Sequence, residues 1–323
     1  MLVKYADAVR RSPAFGVLSA DIAGGRLNHT YLFVTADEAA KESLIKLTAA
    51  ELFCARHPAC LKCADCIRAL SGAHPDLHRY PEKGAKIVVA DIDALVADIS
   101  VMSYSGGCRV YVLDKAETMN IQAQNKLLKT LEETPDNAVI LIFAANDSCM
   151  LPTVKSRVRT IRMGAFAFED ILAALPERIE NRRSAAELAH GSFFLAEKIA
   201  SSQAYREMDA LVFDMLSAMT SSPAILPYAN KIAAYRELIP EFLGFLAAAC
   251  ADLINFKCGA QYVLNKTRIN DIIVIEKNFS INALCLILDK INHSLGRLNL
   301  FGNAQSVVDE LLFYIVEVKI KCR

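Results

Sequence analysis

The chain has 323 residues, 36 of them basic and 36 acidic, with 54% hydrophobic residues and no Trp. That length predicts two or three domains at about 100–200 residues each, and the apolar content excludes disorder for the bulk of the chain. Zero net charge excludes a strongly basic nucleic-acid coat, but not a local basic patch or a share in a composite DNA site.

The opening residues, MLVKYADAVRRS, have no apolar core of a secretory signal, so a cytoplasmic location is expected. Tyr31–Val34 is a short apolar run followed by a helical stretch around Lys41–Phe53, and Asp76–Tyr80 reads as a strand. Asp91 is placed to cap a helix running to about Met102, with Ile92, Leu95, Val96 and Ile99 at helical spacing, before Gly106-Gly107 breaks the chain. Arg109–Asp114 and Ala138–Ala145 are near-continuous apolar runs, as expected of buried parallel strands. Between them, Asn120 can cap a helix with Leu127, Leu128 and Leu131 on one face, ending before Pro135. This alternation predicts an α/β module, a parallel sheet with helices on both faces.

After about Gly164 strand-like runs largely disappear. Ala185–Ile199, Tyr205–Met219, Tyr228–Cys250, Ala283–Leu295 and Ala304–Lys319 read as helices, and Asp271–Ile275 as either a strand or a helix start. Ser221-Ser222-Pro223 is a natural linker, so the expected division is 1–164, 165–220 and 221–323. Phe242–Ala251, the most apolar stretch, is about half the length of a spanning helix and is flanked by Glu241 and Asp252, so no membrane contact is expected.

Without an export signal, ten cysteines do not suggest a disulfide framework. Cys54, Cys60, Cys63 and Cys66 fall within 13 residues, the last three as C-x-x-C-x-x-C. Four thiolates at such spacing can close around one tetrahedral ion, which points to a structural zinc site with no open catalytic position. An iron–sulfur cluster or an accidental run of buried or redox-active thiols stays open. His57 and His74 are candidate substitute ligands, but read better as surface or loop histidines. Cys108, Cys149, Cys250, Cys258, Cys285 and Cys322 have no partner at ligand spacing and read as ordinary thiols.

The run from Gly106 to Ile161 resembles the AAA+ subunits of the bacterial DNA polymerase III clamp loader. It is carried by LLKTLEE at Leu127–Glu133, Pro135, Leu151-Pro152 and Ser156-Arg157. His29-Thr30-Tyr31-Leu32-Phe33, the four cysteines, His74-Pro75-Asp76-Leu77 and the Ile87–Ile99 segment agree in order upstream. The resemblance is strongest over about residues 1–200. Beyond them it rests on Arg297-Leu298-Asn299 and the final helix. It implies a P-loop-like AAA+ module with an inserted zinc module near 54–66, an all-α lid and an all-α collar that oligomerises. The gap of five residues between Cys54 and Cys60 is shorter than is usual in the family, which leaves Cys54 open as a ligand.

The nucleotide chemistry is broken. A phosphate loop needs G-x-x-x-x-G-K-[ST], so that backbone N–H groups close on the phosphates, Lys meets the β/γ oxygens and the hydroxyl holds Mg²⁺. Here the stretch is Thr35-Ala36-Asp37-Glu38-Ala39-Ala40-Lys41-Glu42, in which only Lys41 survives. Asp37, Glu38 and Glu42 put carboxylates where a polyphosphate belongs, a repulsion on the order of several kcal/mol per pair at about 4 Å. Asp114 holds the metal-binding position, but Lys115 replaces the expected Glu, and Glu117 is a poor substitute base. The lid arginine would fall near Phe194 or Leu195, both apolar.

Lys41 and Asp114 therefore read as vestigial, and neither ATP binding nor hydrolysis is expected. Ser156-Arg157 keeps the family's trans-acting arginine finger, with Val158 in place of the usual Cys. On the triplet Ser156-Arg157-Val158 alone, the better reading of Arg157 would be a surface salt-bridge residue in a basic loop with Lys155, Arg159 and Arg162. The resemblance thus implies a non-hydrolysing member of the polymerase complex. Its partners would be gamma/tau and delta subunits, with the sliding clamp and primed DNA reached through the assembly. The rival readings are a gamma/tau-type ATPase with an unusual loop and a zinc-containing AAA+-derived scaffold.

Overall fold

A computed structural model of the chain describes residues 3–82, 86–99, 107–179, 182–219, 222–260, 263, 265, 268–299 and 303–322. The expected helix end at Met102, the break at Gly106 and the linker residue Ser221 lie outside them. The described chain forms two compact units: residues 1–174 with 192–194, and residues 175–191 with 195–323.

The first unit opens with α1 (Ala6–Arg11) and α2 (Pro13–Ala23), whose Ser12 cap accepts from Phe15 N at 3.3 Å. There follow β1 (Thr30–Val34), α3 (Glu38–Phe53), α4 (Ala64–Ser71), β2 (Leu77–Tyr80) and α5 (Val89–Ile99). Next come β3 (Arg109–Leu113), α6 (Ile121–Glu132), β4 (Ala138–Ala144), α7 (Pro152–Lys155), β5 (Arg159–Arg162) and α8 (Phe168–Ala174). The five strands form one sheet in the order β2-β3-β4-β1-β5, every neighbouring pair parallel. Every residue of β3 and β4 is buried, as a strand covered on both faces requires.

The expected α/β alternation is present, with differences at the edges of elements. Asp91 lies inside α5 rather than before it, because the turn starts at Val89 and the Asp91 carboxylate accepts from Val88 N at 2.8 Å. Asn120 does cap α6, accepting from Ala123 N at 2.8 Å. On one side of the sheet, Ile92 and Leu95 of α5 and Ala123 and Leu127 of α6 pack with Leu32, Ile140 and Ile142. That core packs one face of β1, β3 and β4, and in open parallel sheets ligand sites form at the carboxyl ends of the strands.

The second unit is helical: α9 (Arg182–Leu188), α10 (Phe193–Ser201, whose first two residues belong to the first unit), α11 (Gln203–Ala218), α12 (Ile225–Ala233), α13 (Ile239–Lys257), α14 (Ile269–Ile275), α15 (Ile281–Asn299) and α16 (Ala304–Lys321). The single helix expected over Ala185–Ile199 is two, because His190 and Gly191 take positive φ, 49° and 86°, and end α9. The helix expected over Tyr228–Cys250 is also divided, with a 3-10 turn at Arg236–Leu238 before Pro240 opens α13. Asp271–Ile275 resolves as helix. The apolar stretch Phe242–Ala251 lies within α13, where Phe242, Leu243, Leu246 and Cys250 are fully buried. Among the described residues no helix is long and apolar enough to cross a membrane.

Candidate functional site

The chain leaves β1 at Val34 and enters α3 three residues later. The N-terminus of a helix presents unpaired N–H groups and a partial positive charge, which makes it an anion seat. Here the chain supplies its own anion. Asp37 Oδ1 accepts from Ala39 N and Ala40 N, both at 3.0 Å, and the same carboxylate accepts from Phe193 N at 2.6 Å and Phe194 N at 3.3 Å. Thr35 Oγ1 accepts in turn from Asp37 N at 3.2 Å. The stretch at which a lid arginine would fall therefore delivers two backbone N–H groups to a carboxylate. Phe193 itself is buried and stacked on Tyr5, ring centroids 4.2 Å apart.

Lys41 is equally committed. Its side chain is 4% exposed, and Nζ lies 2.6 Å from Asp114 Oδ1 and 2.6 Å from Glu38 Oε2. The other Asp114 oxygen takes Arg79 Nη2 at 2.6 Å, and Arg79 Nη1 reaches Glu42 Oε2 at 2.8 Å. Two cations and three carboxylates thus close on each other. Burial pushes the Asp114 carboxyl up, but the hydrogen bonds and charges of Arg79 and Lys41 outweigh it and hold the group below its ordinary value. Lys115 takes a left-handed φ of 60° as the chain leaves the strand, and Glu117 Oε2 accepts from Ala145 N at 3.1 Å, which ties it to the end of β4. A cavity of about 80 Å³ beside Glu42, Lys46 and Arg79 is far below the roughly 300 Å³ at which ligand pockets begin.

Arg157 sits two residues past α7. Its carbonyl accepts from Thr30 Oγ1 at 2.8 Å, which fixes that turn to β1. The guanidinium lies against Glu132, with Nε and Nη2 at 2.6 and 2.5 Å from Oε1, while Nη1 donates to Thr153 O at 3.0 Å and Ser156 Oγ at 3.3 Å. The Arg157 side chain is 37% exposed and borders a groove of about 420 Å³ with Asn28, His29, Ser156 and Arg159. The neighbouring cations are paired too: Arg159 with Asp21, and Arg162 and Lys155 with Asp147.

The four cysteines Cys54, Cys60, Cys63 and Cys66 come together after α3 and at the start of α4, with every Sγ within 4.8 Å of the others. Thiolates about 2.3 Å from a tetrahedral zinc stand about 3.8 Å apart, so the set fits a metal ion with small adjustment. Backbone N–H groups of Arg56 and Cys60 reach Cys54 Sγ at 3.4 Å, and that of Cys63 reaches Cys60 Sγ at 3.4 Å. Such donors favour the thiolate, and those of Lys62 and Cys63 pull the Cys60 thiol down to about 6. The short Cys54–Cys60 gap is therefore no barrier to Cys54 joining the cluster. His74 lies in the loop before β2, as expected, but not at the surface. It is buried, stacked on Phe53 at 3.7 Å, and its Nδ1 accepts from Asp76 N at 3.1 Å.

Residues 11–167 match a family described as DNA polymerase III, delta subunit. The Pseudomonas aeruginosa DNA polymerase III subunit delta' is 33% identical over 203 residues, 59% of this chain and 62% of that one. The Bacillus subtilis subunit delta' is 33% identical over 138 residues, 42% of each. Over these residues the chain is similar to delta-prime clamp-loader subunits. The kinship reaches further: the Escherichia coli subunit tau is 29% identical over 171 residues, 52% of this chain and 26% of tau. The matched part spans less than two thirds of either delta-prime protein. The cysteine cluster, the turn before α3, Asp114 and Arg157 all fall inside the family match, and the helices from α8 onward fall outside it.

Three groups that shape this delta-prime-like site escape a reading by motif. Asp37 looks like a misplaced charge, although an Asp directly before Glu38-Ala39-Ala40 is also a cap signal. Arg79 and Glu132 carry no local signal, since each meets its partner only across the fold.

Proposed function

We propose that this chain is a non-hydrolysing subunit of the DNA polymerase III clamp loader, working in the cytoplasm beside gamma/tau and delta subunits. One observation carries the reading. The groups that would bind phosphate are engaged by the chain's own carboxylates, Asp37 on the N–H groups of α3 and Asp114 with Glu38 on Lys41, while Arg157 stays at the surface. An incoming polyphosphate would have to displace anions already held at 2.6–3.0 Å. Arg157, with Ser156 bracing it, then acts in trans as an arginine finger that stabilises charge on a phosphate bound by a neighbouring ATPase subunit. Through that assembly the chain takes part in opening the sliding clamp and loading it on primed DNA. Residues 1–164 are the AAA+ core in this reading, 165–220 the lid and 221–323 the collar.

Titrating the isolated chain with Mg-ATP tests this directly. We expect no binding in the micromolar range. Micromolar binding would favour the rival gamma/tau-type ATPase, and failure to co-purify with polymerase III subunits would favour a scaffold outside clamp loading.

The cysteine cluster is proposed as a structural zinc site, with Cys54, Cys60, Cys63 and Cys66 as ligands. Bound there, zinc would tie the end of α3 to the start of α4, and it has no part in the chemistry. Metal analysis of the purified chain should return about one zinc per chain, and chelation should lower the melting temperature of the chain. A chain that purifies without metal and melts identically with chelator would refute the site.

A further inference from the structure

The pairing of Arg157 with Glu132 has a use beyond surface charge balance. Glu132 is the last residue of α6, and Leu131 and Leu127 beside it are buried in the core of the first unit, so its backbone is fixed by packing. Arg157 is fixed as firmly, through its own carbonyl on Thr30. Two long side chains therefore meet from rigid supports 25 residues apart in sequence.

We infer that Glu132 is the positioning residue of the finger: it holds the Nε edge of the Arg157 guanidinium so that the terminal edge faces outward. This rests on the reading of Arg157 as a finger. A guanidinium has five N–H donors in one plane. Nε and one Nη2 hydrogen go to the Glu132 carboxylate, and Nη1 goes to Thr153 O and Ser156 Oγ. That leaves the second Nη2 hydrogen, on the terminal edge, for a phosphate oxygen. Carboxylate on one edge and phosphate on the other is a geometry that a lysine cannot reproduce.

A side chain held this way loses little freedom when the neighbouring nucleotide arrives, and orientation of this kind appears in the rate rather than in ground-state binding. The carboxylate also neutralises the finger before assembly, which discourages it from settling on other anions.

The test uses the reconstituted complex with clamp and primed DNA, and compares Arg157→Ala, Glu132→Ala, Glu132→Gln and the double variant Arg157→Ala/Glu132→Ala. Glu132→Ala should slow hydrolysis at the site the finger faces about tenfold, so that the complex loses about nine tenths of the turnover that Arg157→Ala removes, and KM should stay within about twofold. Glu132→Gln keeps the shape and one acceptor, so it should recover part of the loss. The double variant should be no slower than Arg157→Ala alone, because without the finger there is nothing to position. The melting temperature of Glu132→Ala should stay within about 2 °C of the parent, as for other exposed pairs.

If Arg157→Ala slows the complex and Glu132→Ala does not, the positioning role is wrong and the finger stands. If the double variant is slower than Arg157→Ala, Glu132 acts elsewhere and the role is again wrong. If Arg157→Ala itself has no effect, the finger reading fails and the role goes with it. Should Glu132→Ala fail to assemble, the isosteric Glu132→Gln carries the same comparison.

Discussion

Replacing Arg157 by Ala should cut ATP hydrolysis at the site it faces by roughly 10³–10⁵, the range that arginine fingers supply. In a complex with other intact ATPase sites, the measured rate falls only to the share those sites carry, so the readout is steady-state hydrolysis with clamp and primed DNA present. Assembly should survive, because in our reading the subunits are held through the collar and not through this turn. The side chain is partly exposed and its main chain is held by Thr30 and α7, so the substitution leaves the local backbone in place. Arg157→Lys should rescue little, since an ammonium is a point charge without the planar fork that Glu132, Thr153 and Ser156 hold. Hydrolysis unchanged in Arg157→Ala would remove the finger and leave the chain a structural member of the complex.

The second large effect is on stability. Asp114→Ala should destabilise the first unit by about 3–5 kcal/mol, because it leaves the buried Lys41 ammonium facing only Glu38 and takes one of two partners from Arg79. For a unit of this size that corresponds to a drop in melting temperature of roughly 10 °C. The pH dependence follows from the direction of the shift. The folded-state value of Asp114 lies below its unfolded value, so its contribution is complete above about pH 4, where the unfolded carboxylate is ionised, and is lost as pH falls through the folded value. The gap between parent and variant should be constant from about pH 5 to 7 and should close below about pH 4. Calorimetric melts at several pH values check both parts. A variant as stable as the parent at neutral pH would mean that Lys41 finds water or another anion there, and that the network does not close the site as argued.

Both predictions turn on charged groups that meet their partners within the chain. The turn before α3, Lys41 and Asp114 are each satisfied from within. The positive end of α3 still holds an anion, and that anion is Asp37.

Local patterns in the sequence carried much of this. The apolar runs at Arg109–Leu113 and Ala138–Ala144 are strands buried on both faces, and no other arrangement suits such runs between amphipathic helices. Asn120 caps α6 because a short polar side chain before an apolar-periodic segment satisfies the first free N–H groups wherever the helix lies. The cysteine spacing was legible for the same reason, since a chain that returns a thiol every third residue can turn them to one point.

What the sequence by itself determined, then, is whatever depends on neighbours along the chain: the alternation of the first unit, the helical nature of the second and the cysteine cluster. The tertiary structure decided what depends on partners far apart. It turned Asp37 from a repulsive charge into the acceptor for α3 and for Phe193 and Phe194, 156 and 157 residues away. It brought Arg79 to Asp114 across the parallel pair β2 and β3, and Glu132 to Arg157 across α6 and α7. It also buried His74 under Phe53. A charge takes its meaning from the nearest opposite charge and from how much water is left around it, and both are set only when the sheet and its helices have closed.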